Sequence, residues 1–234
     1  MTSMPTSAPR AILFDLDGTL ADTAPDLAAA VNLLRSERGL PPTPYALLRP
    51  TASAGARGMI GVSFGLTPQD PGYEALRQGF FDNYQAAMAV HSALFPGIFE
   101  LLEGIVAAGL RWGIVTNKPA RFTDPLVGMI GLGGAGCVVS GDTTAHAKPH
   151  PAPLLEAARR MELAPEHCWY VGDDLRDIEA GRAAGMVTLA CAWGYCGPVE
   201  PLQWGADGIV DTPQALLALL RTMPHSPAKR ALAL

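Results

Sequence analysis

Hydrophobic periodicity changes character along this chain, and the change restricts the kind of sheet it can build. Beyond residue 97, short apolar runs alternate with stretches of helical spacing. The runs at 111–116, 137–140, 167–171, 187–192 and 208–210 read as strands, and the stretches near 98–108, 120–130, 151–161, 176–184 and 213–220 read as helices. Strands alternating with helices predict an α/β fold with a doubly wound parallel sheet. One more strand lies far upstream. The run Ala11-Ile12-Leu13-Phe14 reads as buried and stops in the polar turn Asp15-Leu16-Asp17-Gly18-Thr19-Leu20.

The segment between that first strand and the alternating region is helical. Residues 25–38 place Leu27, Val31 and Leu34 on one stripe, with Pro25 suited to a first helical turn. Gly39-Leu40-Pro41-Pro42 breaks the helix. From 45 to 88, Met59, Ile60, Phe64, Leu76, Phe80, Phe81 and Tyr84 recur at three- and four-residue spacing, as the core of a small bundle does. The expected organisation is an α/β core of residues 10–21 and 94–222, interrupted by a helical cap of residues 22–93. Residues 1–9 and 223–234 read as flexible ends.

Composition narrows the function classes. With 234 residues, 49% of them hydrophobic, the chain can bury a core without staples. It holds no apolar run of membrane-spanning length and no secretory leader, so no membrane partner and a cytoplasmic setting are expected. A net charge of -5 argues against a nucleic-acid partner. Cys137, Cys168, Cys191 and Cys196 lack Cys-x-x-Cys spacing and read as reduced thiols rather than zinc ligands. The pattern carries no signal for an oligomeric state. Only three lysines occur, and two of them, Lys118 and Lys148, lie beside motifs.

Four strand ends carry polar groups. Asp15 and Asp17 close the first strand, and the carboxyl ends of parallel strands are where ligands bind. Two neighbouring acids repel each other, which points to a divalent metal and a phosphate. The next strand ends in Thr116-Asn117-Lys118-Pro119, whose hydroxyl and amide are suitable donors to a phosphate oxygen. Lys148 follows the His146-Ala147 turn as a fixed positive charge. A further strand ends in Gly172-Asp173-Asp174-Leu175-Arg176-Asp177, three carboxylates that call for a counter-charge. A helix N-terminus enriched in acids accounts for Asp177 but poorly for all three.

In this order, the four motifs resemble those of the haloacid dehalogenase-like superfamily, from Arg10 to Leu220. The resemblance implies that Asp15 is a nucleophile forming an aspartyl-phosphate and that Asp17 is the general acid and base. It implies Mg²⁺ held by Asp15, the backbone carbonyl of Asp17 and Asp173, with Asp174 or Asp177 orienting that shell from outside. Thr116, Asn117 and Lys148 would hold the phosphoryl oxygens. An acid at Asp17 points to phosphate esters rather than halides, and a cap without lysine excludes an imine-forming phosphonate hydrolase.

Within the superfamily, Asp22-Thr23-Ala24-Pro25-Asp26-Leu27 and Gly55-Ala56-Arg57-Gly58 resemble the phosphoglycolate phosphatases. Ala89-Val90-His91-Ser92 and Trp204-Gly205-Ala206-Asp207 are closer to the N-acetylmuramic acid 6-phosphate phosphatases. Gly55 and Arg57 could lower N–H groups and a guanidinium onto a substrate carboxylate. The expected partner is a small phosphate ester. A sugar-phosphate mutase and a non-catalytic phosphometabolite-binding relative are the lesser alternatives.

Overall fold

The computed structural model describes residues 8–223, so the expected flexible ends fall almost wholly outside the described residues. The chain opens with β1 (Ala11–Phe14) and β2 (Ala21–Asp22), then α1 (Ala24–Ser36), α2 (Tyr45–Leu48), α3 (Gly55–Phe64) and α4 (Tyr73–Ala86). It returns through β3 (Ala93–Leu94) to α5 (Ile98–Ala107), β4 (Arg111–Val115), α6 (Ala120–Met129) and β5 (Val138–Val139). The remainder is α7 (Ala152–Arg160), β6 (Cys168–Gly172), α8 (Leu175–Ala183), β7 (Val187–Cys191), β8 (Gly208–Val210) and α9 (Pro213–Thr222).

Six strands form one parallel sheet in the order β5-β4-β1-β6-β7-β8. β1 is central because it is apolar on both faces, and every residue of it is buried. Ile12 and Phe14 point to a layer that includes Ile98, Leu101, Ile105, Leu126, Leu216 and Leu220 of α5, α6 and α9. Ala11 and Leu13 point the other way, to Leu154, Ala157 and Ala180 of α7 and α8. This is the two-residue alternation of a strand covered on both sides. The connections turn one way from β1 to β4 and β5, and the other way to β6, β7 and β8. The crevice at the carboxyl end of β1 is therefore the switch point of the sheet.

β2 and β3 form a separate antiparallel ribbon, with Ala21 opposite Leu94 and Asp22 opposite Ala93. Neither strand holds a β-branched residue, as the equally short Val138–Val139 of β5 does, so sequence reasoning passed over them. The ribbon carries the chain into and out of the helical block α1–α4. That block has its own apolar cluster, including Leu27, Val31, Leu34, Leu48, Met59, Ile60, Leu76, Phe80 and Tyr84. Phe122 and Tyr195, from outside the block, join the cluster and seat the bundle over the crevice.

Two buried polar clasps hold the ribbon. The Tyr195 hydroxyl accepts from Thr23 N (2.8 Å) and Ala24 N (2.9 Å), occupying free N–H groups at the start of α1, and stands 2.8 Å from Asp22 Oδ1. The buried Asp26 carboxylate accepts from His91 N, Ser92 N and Ser92 Oγ on the returning segment. No helix among the described residues is long and apolar enough to cross a membrane.

Candidate active site

The acids of β1 and β6 sit where each strand stops, because the next residues break the pleat. Gly18 has φ 92°, and a methyl group there would run into Asp173 Oδ2. Gly194 approaches the same aspartate from the other side, where a methyl group would strike Asp173 Cβ. Only glycines let these two loops close on the carboxylate.

Asp15, Asp173 and Asp177 are buried and each offers a carboxylate oxygen within 4.8 Å of the others. At that separation two full charges repel by about 3 kcal/mol with an effective dielectric near 20. One ammonium stands against three acids. Lys148 Nζ lies 2.9 Å from Asp15 Oδ1 and 2.6 Å from Asp177 Oδ1. Its three protons are taken by Asp177 Oδ1, Val115 O (3.0 Å) and the Tyr170 hydroxyl (2.7 Å). The Asp15 contact is therefore ionic, and Asp15 Oδ1 makes no hydrogen bond among the described residues. Burial works against charge on Lys148, but Asp15 and Asp177 hold its ammonium above the usual range.

Asp173 has more support. Its Oδ1 accepts from Thr19 Oγ1 (2.9 Å), and its Oδ2 accepts from Tyr195 N (2.9 Å) and Ser53 Oγ (3.2 Å). Burial nevertheless raises its carboxyl well above the usual carboxylate range, and the Asp15 and Asp177 charges add to the rise. Burial likewise pushes Asp15 up to about 7, against the pull of Lys148 and with the push of Asp177. Three buried hard-oxygen groups, one of them without a hydrogen bond, under a single ammonium are a donor set that fits a divalent cation such as Mg²⁺.

These shifts set a pH dependence. Asp15 is ionised above its ordinary value of 3.8 when unfolded and stays protonated to about 7 when folded, so between those limits the folded chain binds more protons. Its contribution to stability is full below the lower limit and is lost as pH rises through the upper one. In EDTA, stability to denaturant should fall between pH 5 and 8 by on the order of 3 kcal/mol. Saturating Mg²⁺ should flatten that fall, because the cation takes the proton's place. A flat profile in EDTA would contradict the account.

Asp17 is held differently. Lys118 Nζ lies 2.9 Å from its Oδ1, and Thr23 Oγ1 donates to the same oxygen. The acidic cluster thus involves Asp15, Asp173 and Asp177 rather than the Asp17 carboxylate. Sequence reasoning left Asp174 and Asp177 as alternatives, and the structure separates them. Asp174 caps α8 and is gripped by the Arg176 guanidinium at 2.7 and 2.8 Å, whereas Asp177 turns inward to Lys148.

Asn117 has a further task. Its amide donates to Lys148 O and accepts from Lys148 N, both at 2.9 Å, so the side chain fixes the Lys148 backbone and keeps one N–H beyond that clamp. Thr116 Oγ1 accepts from Lys118 N at 3.2 Å and keeps its own proton to donate.

A cavity of about 280 Å³ opens over these groups. Asp15, Asp17, Thr116, Asn117 and Lys148 line it from the sheet side, and Gly55 and Arg57 from the helical block. Leu27, Tyr73, Phe80, Phe81, Tyr84 and Phe122 form an apolar wall, with Arg77 beside it. Arg57 itself is exposed. The block also reaches the acids directly, because the Arg176 guanidinium donates to Ser53 O (2.9 Å) while Ser53 Oγ meets Asp173.

A strand-end acidic cluster with a lysine at the switch point, under a helical lid, defines a phosphotransfer-type hydrolase site. The haloacid dehalogenase-like hydrolase family model matches residues 9–185, and the chain belongs to that family. It is similar to the N-acetylmuramic acid 6-phosphate phosphatase of Pseudomonas putida, 46% identical over 209 residues, or 88% of this chain and 94% of that one. It is similar to the phosphoglycolate phosphatase of Xanthomonas campestris pv. campestris, 47% identical over 210 residues, covering 89% and 95%. Among solved structures, a predicted phosphoglycolate phosphatase from Haemophilus somnus 129PT superposes with a TM-score of 0.80 at 27% identity, covering 93% and 99%. The chain is a phosphoric monoester hydrolase.

Proposed function

We propose that the protein is a Mg²⁺-dependent phosphatase acting on a carboxylate-bearing phosphomonoester through an aspartyl-phosphate on Asp15. The observation that supports this most is the convergence of Asp15 after β1, Lys148 in the loop after β5, and Asp173 and Asp177 after β6, at one cavity. Asp15 attacks phosphorus through a carboxylate oxygen as the bond to the leaving oxygen breaks. Asp17 gives its proton to that oxygen, releasing the alcohol, and later takes a proton from the water that attacks phosphorus. That attack frees the Asp15 carboxylate and inorganic phosphate. Thr116 Oγ1 and the Asn117 backbone N–H donate to the phosphoryl oxygens, and the Lys148 ammonium attracts them through its charge.

Asp15, Asp173 and the Asp17 carbonyl would hold the Mg²⁺, with Asp177 fixing Lys148 beside it. Its chemistry there would be to offset charge between an anionic nucleophile and an anionic ester. A cytoplasmic setting belongs to this reading, supported by four cysteines with no disulfide.

The phosphoglycolate phosphatases and the N-acetylmuramic acid 6-phosphate phosphatases both handle carboxylates by name, and Arg57 suits either. The cavity favours the larger ester. At about 280 Å³, with six apolar or aromatic side chains, it exceeds what a two-carbon acid can contact. Phosphate release should require Mg²⁺, cease in EDTA, and show at least about tenfold higher kcat/KM for N-acetylmuramic acid 6-phosphate than for 2-phosphoglycolate. The reverse preference would return the assignment to phosphoglycolate.

A further inference from the structure

Lys118 is the one lysine in the described residues that the chemistry above leaves without a role. It ends β4's loop, is 9% exposed and lines the cavity. Burying an ammonium is costly unless something specific holds it. Here Asp17 Oδ1 holds it at 2.9 Å, while the ring of Tyr84, from α4 of the helical block, lies against it with Nζ 4.7 Å from the centroid. Tyr84 is itself fixed, edge-on to Phe122 at 5.4 Å and stacked on Phe80 at 6.4 Å. The Lys118 backbone is pinned too, since Lys118 N donates to Thr116 Oγ1 while its carbonyl accepts from Gly141 N and Thr123 Oγ1.

We infer that Lys118, roofed by Tyr84, is a positioning residue that aims the Asp17 carboxyl at the leaving oxygen. Lys118 and Thr23 both converge on Oδ1, so that oxygen is anchored. Oδ2 has no protein partner among the described residues and is the oxygen left to carry and deliver the proton. Two contacts on one oxygen fix the carboxylate's rotation as well as its place. Because Tyr84 belongs to the helical block and Lys118 to the sheet loop, the anchor is complete only when the two are packed together. Lid seating and acid alignment thereby become one event. Lys118 acts through Asp17 and needs no contact with the ester.

This inference rests on the phosphatase reading with Asp17 as proton donor, and leaving-group dependence tests the two separately. A primary alcohol leaves poorly without a proton, whereas nitrophenolate leaves readily. The probes are p-nitrophenyl phosphate and the better of 2-phosphoglycolate and N-acetylmuramic acid 6-phosphate. Lys118→Met should lower kcat on the alcohol ester about 100-fold and on the aryl ester less than about fivefold, as loss of an aligned general acid does. Equal losses on both would overturn the inference.

Asp17→Asn is the reference. If it shows no such selectivity, the proton-donor reading itself fails. If it does and Lys118→Met does not, only the role of Lys118 falls. Should Lys118→Met not fold, Tyr84→Leu decides, because it keeps apolar bulk but removes the ring face. The alcohol-to-aryl rate ratio should then drop about three- to tenfold, and an unchanged ratio would overturn the inference.

Discussion

Asp15→Asn should release phosphate at least about 10⁴-fold more slowly than the wild type, while melting at a higher temperature in EDTA at pH 8. The two effects share a cause. An amide has no free carboxylate to attack phosphorus, and it also removes one of three acidic groups crowded within 4.8 Å. Since burial raises the Asp15 carboxyl to about 7, the group is ionised at pH 8 against the preference of the metal-free fold, and a neutral amide relieves that cost. Thermal denaturation and phosphate release on one preparation check both. A folded variant with near-normal turnover would remove Asp15 as the nucleophile. A slow variant with a lowered metal-free melting temperature would trace the loss to a damaged fold.

Lys148→Met carries the largest expected cost in stability. The ammonium bonds Val115 O, Tyr170 and Asp177 and stands against Asp15, and methionine fills its volume without any of these contacts. Removing one side of a buried ion pair costs about 3–5 kcal/mol, because the remaining charges stay desolvated and unpaired. Denaturant unfolding in EDTA should show a loss of that size. Mg²⁺ should recover part of it while turnover stays more than about 100-fold low. A loss below about 1 kcal/mol would mean that the acids relax toward solvent and that Lys148 is dispensable to the fold.

The sheet was legible because its central strand is apolar at every position and its helices recur at regular intervals. All five later strands fall within about two residues of the positions their apolar runs predict. Asp15, Asp17 and Asp173 could be picked out because acids that end buried strands have no structural excuse. Tyr170 was hidden for the opposite reason. An aromatic inside a strand reads as core, and only the fold reveals that its hydroxyl meets both Lys148 and Asp177. Lys118 was noticed for its rarity, but its pairing with Asp17 spans 101 positions and leaves no local trace. The clamp of Asn117 on the Lys148 backbone was hidden because an amide at a strand end suits a phosphate and a backbone clamp equally well. Ser53 and Tyr195 depend on how the helical block rests on the sheet, which no spacing encodes.

The narrow ribbon of β2 and β3 bears on how such a molecule can diversify. The block's exit and re-entry points sit side by side, Asp22 facing Ala93. Everything between them is topologically a single excursion from one hairpin. Its length, helix count and inner lining can therefore be rewritten without altering the register of any strand in the main sheet. Much of the cavity's apolar wall and the strand ends that bear the acids are thus encoded on separate stretches of gene, which meet through contacts such as Ser53 to Asp173 and Tyr84 to Lys118.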